Sequence, residues 1–436
     1  MAEPLRIGLA GLGTVGTGVV RLLETNHDLI AARAGRELKI VAVSARDRNR
    51  DRGIDLSGFA WEDDMANLAA RGDVDVVVEL VGGSDGPALE LARKTLARGK
   101  ALVTANKAMI AHHGLELAEA AEERDVALKF EAAVAGGIPV VKGLREGTSA
   151  NALERIYGIL NGTCNYILST MEDTGADFAE VLADAQRLGY AEADPTFDIE
   201  GVDAAHKLAI LAAIGFGARI DFEAVRATGI TSVGAADIAQ ADALGYVIRL
   251  IAMADVEPGE NGTPTLLQRV RPCLVSKEHP LSGVDGPTNA VVAEGNFSGR
   301  LLFQGAGAGE GPTASAVVAD LIDIARDEVG APFSIPVAQL KAMPPTESGH
   351  RIESTYIRFT VADRPGVLAE ITAAMRDAGV SIESLIQKGR AEGGGDVLVA
   401  MVTHEGPERS VRAALELLDG SESLTAQPLV LPILRD

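Results

Sequence analysis

Cysteine is nearly missing from this chain. Two residues in 436, Cys164 and Cys273, allow neither a disulfide framework nor a Cys-rich metal site. Basic charge is short as well: 40 Lys and Arg stand against 62 Asp and Glu, for a formal charge of −22. A broad basic surface for nucleic acid is thereby excluded, although backbone amides and one or two arginines still suffice for a small anionic cofactor. No apolar run reaches the length of a membrane span, and MAEPLRIGLAG enters a strand with neither a basic n-region nor a cleavable apolar core. The expectation is a cytoplasmic protein without membrane or nucleic-acid partners. Internal repeats and low-complexity tracts are also lacking. What remains is a globular chain long enough for two or three domains.

The first third alternates β-like runs with helical text: LRIGLAG, a helix from about Val15 to Ala34, LKIVAVSA, DVDVVVELVGG, a helix in GPALELARKTLARG, ALVTAN, a helix from about Gly114 to Arg124, and VALKFEAAV. Such alternation predicts a parallel, doubly wound sheet over residues 1–135. Over 136–304 the strand-like pieces ERIYGILNG, TPTLLQRVRPCLV, TNAVVAEG and GRLLFQG predict an α+β domain. Residues 305–340 open on GAGAG and continue into a helix expected to return to the first domain. KAMPPTESGH (341–350) reads as a linker, and 351–436 as a βαββαβ, ferredoxin-like unit. The fold class is therefore α/β, a Rossmann-type domain followed by an α+β domain and a small ferredoxin-like domain.

Two stretches carry chemistry. Gly11-Leu12-Gly13-Thr14-Val15-Gly16 follows a strand and opens a helix, the setting a dinucleotide fingerprint needs. Gly11 permits the turn, Gly13 admits a pyrophosphate and Gly16 lets helix and strand pack closely. The helix N-terminus offers free amides to the phosphates. After the second strand, Arg46 or Arg48 suits the 2′-phosphate of NADP while Asp47 suits the ribose of NAD, and a solvated turn explains the two arginines equally well.

The second stretch, AQRLGYAEADPTFDIEGVDAAHK (185–207), holds Glu192, Asp194, Asp198, Glu200 and Asp203 in a segment broken by Gly189, Pro195 and Gly201. From Val202 it turns helical, so Asp203 and Lys207 share a face one turn apart. That spacing fits an ordinary surface ion pair. Because the apolar LAILAAIGF follows, the pair also fits the mouth of a buried helix, where it could bind a zwitterion and move a proton. His206 points to another face and is expected to be structural. His112 and His113 have no partner at metal spacing and read as a loop, and Cys164 has no nucleophile context of its own.

The motifs GLAGLGTVGTGV, VVVELVGG, VTANKA, FEAAVAGGIP, ILNGTCNYIL, LGYAEADPTFDIEGVDAAHK and GAGAGEGPTASAVVADL together resemble homoserine dehydrogenase over residues 5–340. VADRPGVLAEI resembles the first turn of the ACT regulatory module over 350–436. The resemblance implies NAD- or NADP-dependent interconversion of L-aspartate 4-semialdehyde and L-homoserine, on the route to threonine, methionine and isoleucine. It maps the cofactor onto Gly11, Gly13, Thr14, Val15, Gly16, Thr104, Asn106, Lys107, Gly309 and Glu310. It maps the substrate onto Thr163, Tyr190, Glu192, Asp198, Asp203 and Lys207, and proton handling onto Lys107 and Lys207. A monovalent cation (sodium or potassium) is implied at Glu131 and Val134, where a carboxylate capping a turn is an equally good reading. Threonine is the implied effector, with Asp363, Gly366 and Gln387 as its contacts, and a module retained only for dimerisation is the alternative. A homodimer or homotetramer is implied too. A non-catalytic sensor of NADP and amino acid is the competing reading, disfavoured because a sensor has no use for two proton-handling lysines.

Overall fold

The computed structural model describes residues 2–259, 262–347, 349–388 and 396–435. Six parallel strands form the first sheet: β1 Leu5–Ala10, β2 Leu38–Ser44, β3 Ala60–Trp61, β4 Val76–Glu79, β5 Ala101–Thr104 and β6 Leu128–Lys129, in the order β3-β2-β1-β4-β5-β6. β1 and β4 are buried along almost their whole length because helices cover both faces of the sheet. The order reverses beside β1, so a crevice opens at the carboxyl ends of β1 and β4, where doubly wound sheets bind ligands.

The second sheet has the order β12-β11-β7-β9-β10-β8, with β7 Leu153–Ile159, β8 Arg226–Ala227, β9 Tyr246–Pro258, β10 Pro264–Ser276, β11 Thr288–Gly295 and β12 Gly299–Ala306. The helices Gly162–Thr174 and Val202–Phe216 pack on one face through Ile167, Leu168, Leu208 and Leu211 against Ile156, Ala252 and Val291. Chain then returns as the helix Glu310–Ala325, whose Ala314, Val317 and Leu321 pack with Val19 and Val20 of the helix Thr14–Thr25 in the first domain. That packing is close: a Cβ on Gly18 would lie 2.7 Å from Glu310 Cγ.

The last unit is an antiparallel sheet in the order β15-β16-β14-β18, comprising β14 Thr355–Ala362, β15 Ile382–Lys388, β16 Asp396–Thr403 and β18 Leu429–Pro432. The helices Val367–Asp377 and Glu408–Leu417 cover one face. A short ladder of β13 Ile352–Glu353 with β17 Gly406–Pro407 lies beside it. The unit docks on the middle sheet through ion pairs, Arg269 to Glu408 at 3.0 Å, Arg271 to Glu353 at 2.6 Å and Arg351 to Asp255 at 2.6 Å.

Several elements differ from the sequence reading. The helix expected over 15–34 is two, Thr14–Thr25 and His27–Ala34, broken at Asn26. The helix expected from Gly114 starts at Lys107, because the Asn106 side chain accepts the Met109 amide and caps it; Lys107, His112 and His113 are therefore helical rather than in a loop. The carboxylate segment contains the end of the helix Phe178–Leu188 and a short helix Thr196–Ile199. β9 lacks alternation, being buried on both faces over most of its length, and its sequence gives no period-2 signal. Within the expected linker, Pro344 O accepts the Leu266 amide and the Thr346 amide donates to Leu266 O, so that stretch lies along β10.

Candidate active site

The glycine turn has the geometry that each of its glycines requires. Gly11 has a φ of +97°, and a Cβ there would lie 2.5 Å from Leu80 O. A Cβ on Gly16 would lie 2.0 Å from Gly11 O, so no larger residue lets the helix start there. At Gly13 a Cβ would meet nothing within 4 Å, which leaves room for a pyrophosphate beside the free amides of the helix Thr14–Thr25. The residues present therefore fit a dinucleotide.

A cleft of about 960 Å³ runs from this turn into the second domain, with Val15, Lys107, Asn161, Thr163, Tyr190, Asp198, Asp203, Lys207 and Gly309 on its walls. Its centre is Asp203. One carboxylate oxygen, Oδ1, lies 2.8 Å from Lys107 Nζ, and Oδ2 accepts from Lys207 Nζ at 2.7 Å and from Asn161 Nδ2 at 2.9 Å. Lys207 also donates to Leu160 O at 2.7 Å. Burial opposes ionisation of Asp203, but the two ammonium groups outweigh it and hold the carboxyl well below the usual carboxylate range. For Lys107, burial pulls the other way, and Asp203, with Asp198 and Glu192 behind it, holds the ammonium above its ordinary value. The two lysines arrive from different domains, one opening the helix Lys107–Arg124 and the other inside the helix Val202–Phe216.

Asp198 is pushed up by burial; its Oδ1 accepts from Asn161 Nδ2 at 2.8 Å and its Oδ2 from the Thr163 hydroxyl at 3.4 Å. The Thr163 hydroxyl also donates to Tyr190 O at 2.6 Å, and the Tyr190 ring lies against Tyr166 with centroids 4.7 Å apart. Glu192 is exposed and is not on the cleft wall. Cys164 is buried beneath this cluster and its thiol is pushed well above the ordinary value, chiefly by burial, which leaves it inert as a nucleophile.

Other expected cofactor residues also make contacts within the protein. Thr104 is fully buried and donates to Glu79 Oε2 at 2.6 Å, while its oxygen accepts the Asn106 amide. Glu79 accepts the amides of Val81 and Gly82 through Oε1 and so orders the loop after β4. Asn106 donates to Gly83 O at 2.6 Å. Glu310 pairs with Arg21 at 2.6 Å at the start of the return helix, and Gly309, with a φ of +123°, precedes it. Arg46 is exposed, and Arg48 lies over the Trp61 ring.

At the implied cation site, Glu131 Oε1 accepts the Val141 amide at 3.0 Å and Oε2 the Lys142 amide at 2.8 Å. Burial and Asp320 push the Glu131 carboxyl up to about 7. Each oxygen thus holds one backbone amide, the geometry of a carboxylate capping a turn. No group of three or more metal-ligating side chains occurs among the described residues. In the last domain Asp363, Gly366 and Gln387 share a cavity of about 160 Å³ at the start of the helix Val367–Asp377.

Two residues of this site escaped the sequence reading. Asn161 bonds both Asp198 and Asp203 and caps the helix Gly162–Thr174 through Cys164 N; an Asn before a helix start was its signal. Glu79 carried none, since one acid at the end of an apolar strand is ambiguous.

Comparison with known proteins follows the same divisions. The family model for the NAD-binding domain of homoserine dehydrogenase matches residues 11–131, that for homoserine dehydrogenase matches 139–322, and that for the ACT domain matches 355–419. The chain is 44% identical over 428 residues to a homoserine dehydrogenase of Pseudomonas aeruginosa, covering 96% of each chain. A Synechocystis homoserine dehydrogenase is 44% identical over 438 residues, with 99% of each covered. Among solved structures, a homoserine dehydrogenase from Thiobacillus denitrificans superposes with a TM-score of 0.91 at 41% identity, over 99% of this chain and 98% of that one. A hyperthermophilic archaeal homoserine dehydrogenase in complex with NADPH superposes with a TM-score of 0.63 at 25% identity, over 78% of this chain and 100% of that one.

Proposed function

We propose, from the premise that the chain belongs to the homoserine dehydrogenase family of oxidoreductases acting on a CH–OH group, that it interconverts L-aspartate 4-semialdehyde and L-homoserine in the cleft between its first two domains. The observation that carries this reading is Asp203 held between Lys107 and Lys207 at 2.8 and 2.7 Å, facing the glycine turn across one cleft.

When bound, the nicotinamide of NAD or NADP supplies or accepts the hydride. In the reducing direction the aldehyde carbon gains a hydride and its oxygen becomes an alkoxide, which needs a positive group and a proton as it forms. Lys207 is aimed by two acceptors, Leu160 O and Asp203, and retains one N–H for the substrate oxygen. It orients the substrate and hands the proton over, directly or through water, while Lys107 at the first-domain wall serves as second donor or relay. Asp203 keeps both ammonium groups charged, and Asn161 keeps Asp203 turned toward them. Thr163, Tyr190 and Asp198 form the polar cage for the amino-acid end, the Asp198 carboxylate drawing its ammonium, while Glu192 stands outside the cleft wall and acts on it only through its charge.

Arg46 or Arg48 would favour NADP and Asp47 would favour NAD; all three follow the end of β2. A monovalent cation at Glu131 and Val134 enters no step of this reaction; each Glu131 oxygen already holds one backbone amide. Threonine is proposed as effector at Asp363, Gly366 and Gln387, feeding back on the biosynthesis of threonine, methionine and isoleucine. A homodimer or homotetramer is proposed through the middle sheet, whose edge strand β12 exposes Leu302 beside an exposed Phe297. A cytoplasmic location accompanies this reading; no helix among the described residues is long and apolar enough to cross a membrane.

The test is oxidation of NADPH and NADH by the purified chain with aspartate semialdehyde, with and without threonine. Turnover supports the activity and ranks the cofactors, and loss of turnover on adding threonine supports the effector. A folded chain that binds NADPH but oxidises neither cofactor would return the sensor reading.

A further inference from the structure

Beside the cleft, three rings stack into one column and a fourth meets it edge-on. Phe222 and His206 are parallel, with centroids 4.3 Å apart and 2° between planes. His206 in turn stacks with Phe197 at 5.5 Å and 25°. His112 closes the group edge-on, 4.7 Å from Phe222 and 5.2 Å from His206, and its Nε2 lies 3.2 Å from His206 Nε2. At the open end of the column, Lys107 Nζ lies over the Phe197 ring, 5.7 Å from its centroid.

This column joins parts that the reaction needs in register. Phe197 belongs to the short helix beside Asp198, and His206 to the helix of Asp203 and Lys207. His112 belongs to the helix that Lys107 opens. The histidine contact therefore ties the first-domain lysine helix to the second-domain helix carrying its counter-ion. Phe197 is 44% exposed, and one face of its ring is turned to an ammonium.

We propose that Phe197 and His206 are positioning residues for Lys107, the Phe197 face and the Asp203 carboxylate together fixing where its ammonium stands in the cleft. The ring gives the cation a second, non-titrating partner beside the Asp203 carboxylate. His206 stacks behind Phe197 and keeps its face in place, and His112 sets the distance between the two helices. The inference rests on the role given above to Lys107 but not on which lysine finally releases the proton.

The experiment compares the full-length wild type with Phe197→Leu, Phe197→Trp and His206→Asn, measuring kcat, the KM for homoserine, NADPH affinity by fluorescence titration, and the melting temperature. A cation–π partner at a partly exposed site corresponds to a loss of about threefold to fivefold in kcat for Phe197→Leu. The KM and the NADPH affinity should stay at wild-type values, and Phe197→Trp should regain wild-type kcat because it restores an aromatic face. His206→Asn should lower kcat in the same sense, which keeps the inference testable if Phe197→Leu does not fold. Equal kcat in Phe197→Leu, or a loss that Trp does not restore, overturns the inference. Absence of turnover in the wild type would instead overturn the proposed function, so the two failures are distinguishable.

Discussion

Replacing Asp203 by Asn retains volume and the hydrogen bond to Asn161 while removing the one charge that both lysines share. At an effective dielectric of about 20, a carboxylate and an ammonium 4 Å apart attract by roughly 4 kcal/mol. The contacts at 2.8 and 2.7 Å are closer than that, and the carboxylate is 4% exposed. Stripping one partner from a buried pair costs about 3–5 kcal/mol in net terms. Without Asp203, burial acts on Lys107 against only the more distant Asp198 and Glu192, so its ammonium is no longer held above its ordinary value and titrates lower. The assay is the pH dependence of kcat/KM for semialdehyde reduction, together with NADPH affinity. The alkaline limb, where a required ammonium deprotonates, should move toward neutral pH, and NADPH affinity should hold because the glycine turn is untouched. A limb that stays within about half a unit of wild type would refute the reasoning. The same shifts fix how stability depends on pH. The folded-state value of Asp203 is depressed, so its contribution is present above the unfolded value near ~3.9 and is lost as pH falls through the folded value. The folded-state value of Lys107 is raised, so its contribution is complete below ~10.4 and is lost as pH rises through the folded value.

Gly16→Ala should give a chain that melts lower by several degrees or fails to fold, since its Cβ would meet Gly11 O at 2.0 Å, whereas Gly13→Ala should fold normally and bind NADPH more weakly. Melting curves and fluorescence titration separate the two effects, and equal behaviour of both variants would contradict the assignment. Cys164→Ser should retain turnover within about threefold, because the buried thiol has no part in the chemistry; a loss of a hundredfold or more would contradict this. Where the last domain docks, Tyr356 donates to Asp237 at 3.1 Å and Arg358 pairs with it at 3.0 Å. Tyr356→Phe should cost about 1–3 kcal/mol in a chemical denaturation curve, the penalty for removing one hydrogen bond to a buried carboxylate; an unchanged curve would show that the docking is held elsewhere.

Much of this molecule is legible in its sequence because local rules and long-range packing agree there. The turn Gly11–Gly16 stands between an apolar strand and an amphipathic helix, and each glycine faces what its position predicts. Legibility fails where a residue's meaning depends on a partner far away in the chain. Thr104 belongs to VTANKA, yet its hydroxyl is consumed by Glu79, 25 residues earlier. Lys107 was legible as a lysine after a strand, but its ion pair with Asp203 comes from across the domain boundary. The strand β9 was missed because burial on both faces removes the alternation by which strands are recognised. The histidines at 112 and 113 looked like loop residues because the cap at Asn106 lies one residue before the helix, where VTANKA reads as the end of a strand.

The central claim is that Lys207, aimed by Asp203 and Leu160 O, moves the proton in a cleft that binds cofactor independently of it. Its most direct test measures aspartate-semialdehyde-dependent NADPH oxidation and NADPH affinity side by side in the wild type and in Lys207→Ala. The account expects turnover in the wild type, a fall of at least about a hundredfold in kcat for Lys207→Ala, in line with loss of a general acid, and an NADPH affinity that is unchanged. Wild-type kcat in Lys207→Ala would contradict it.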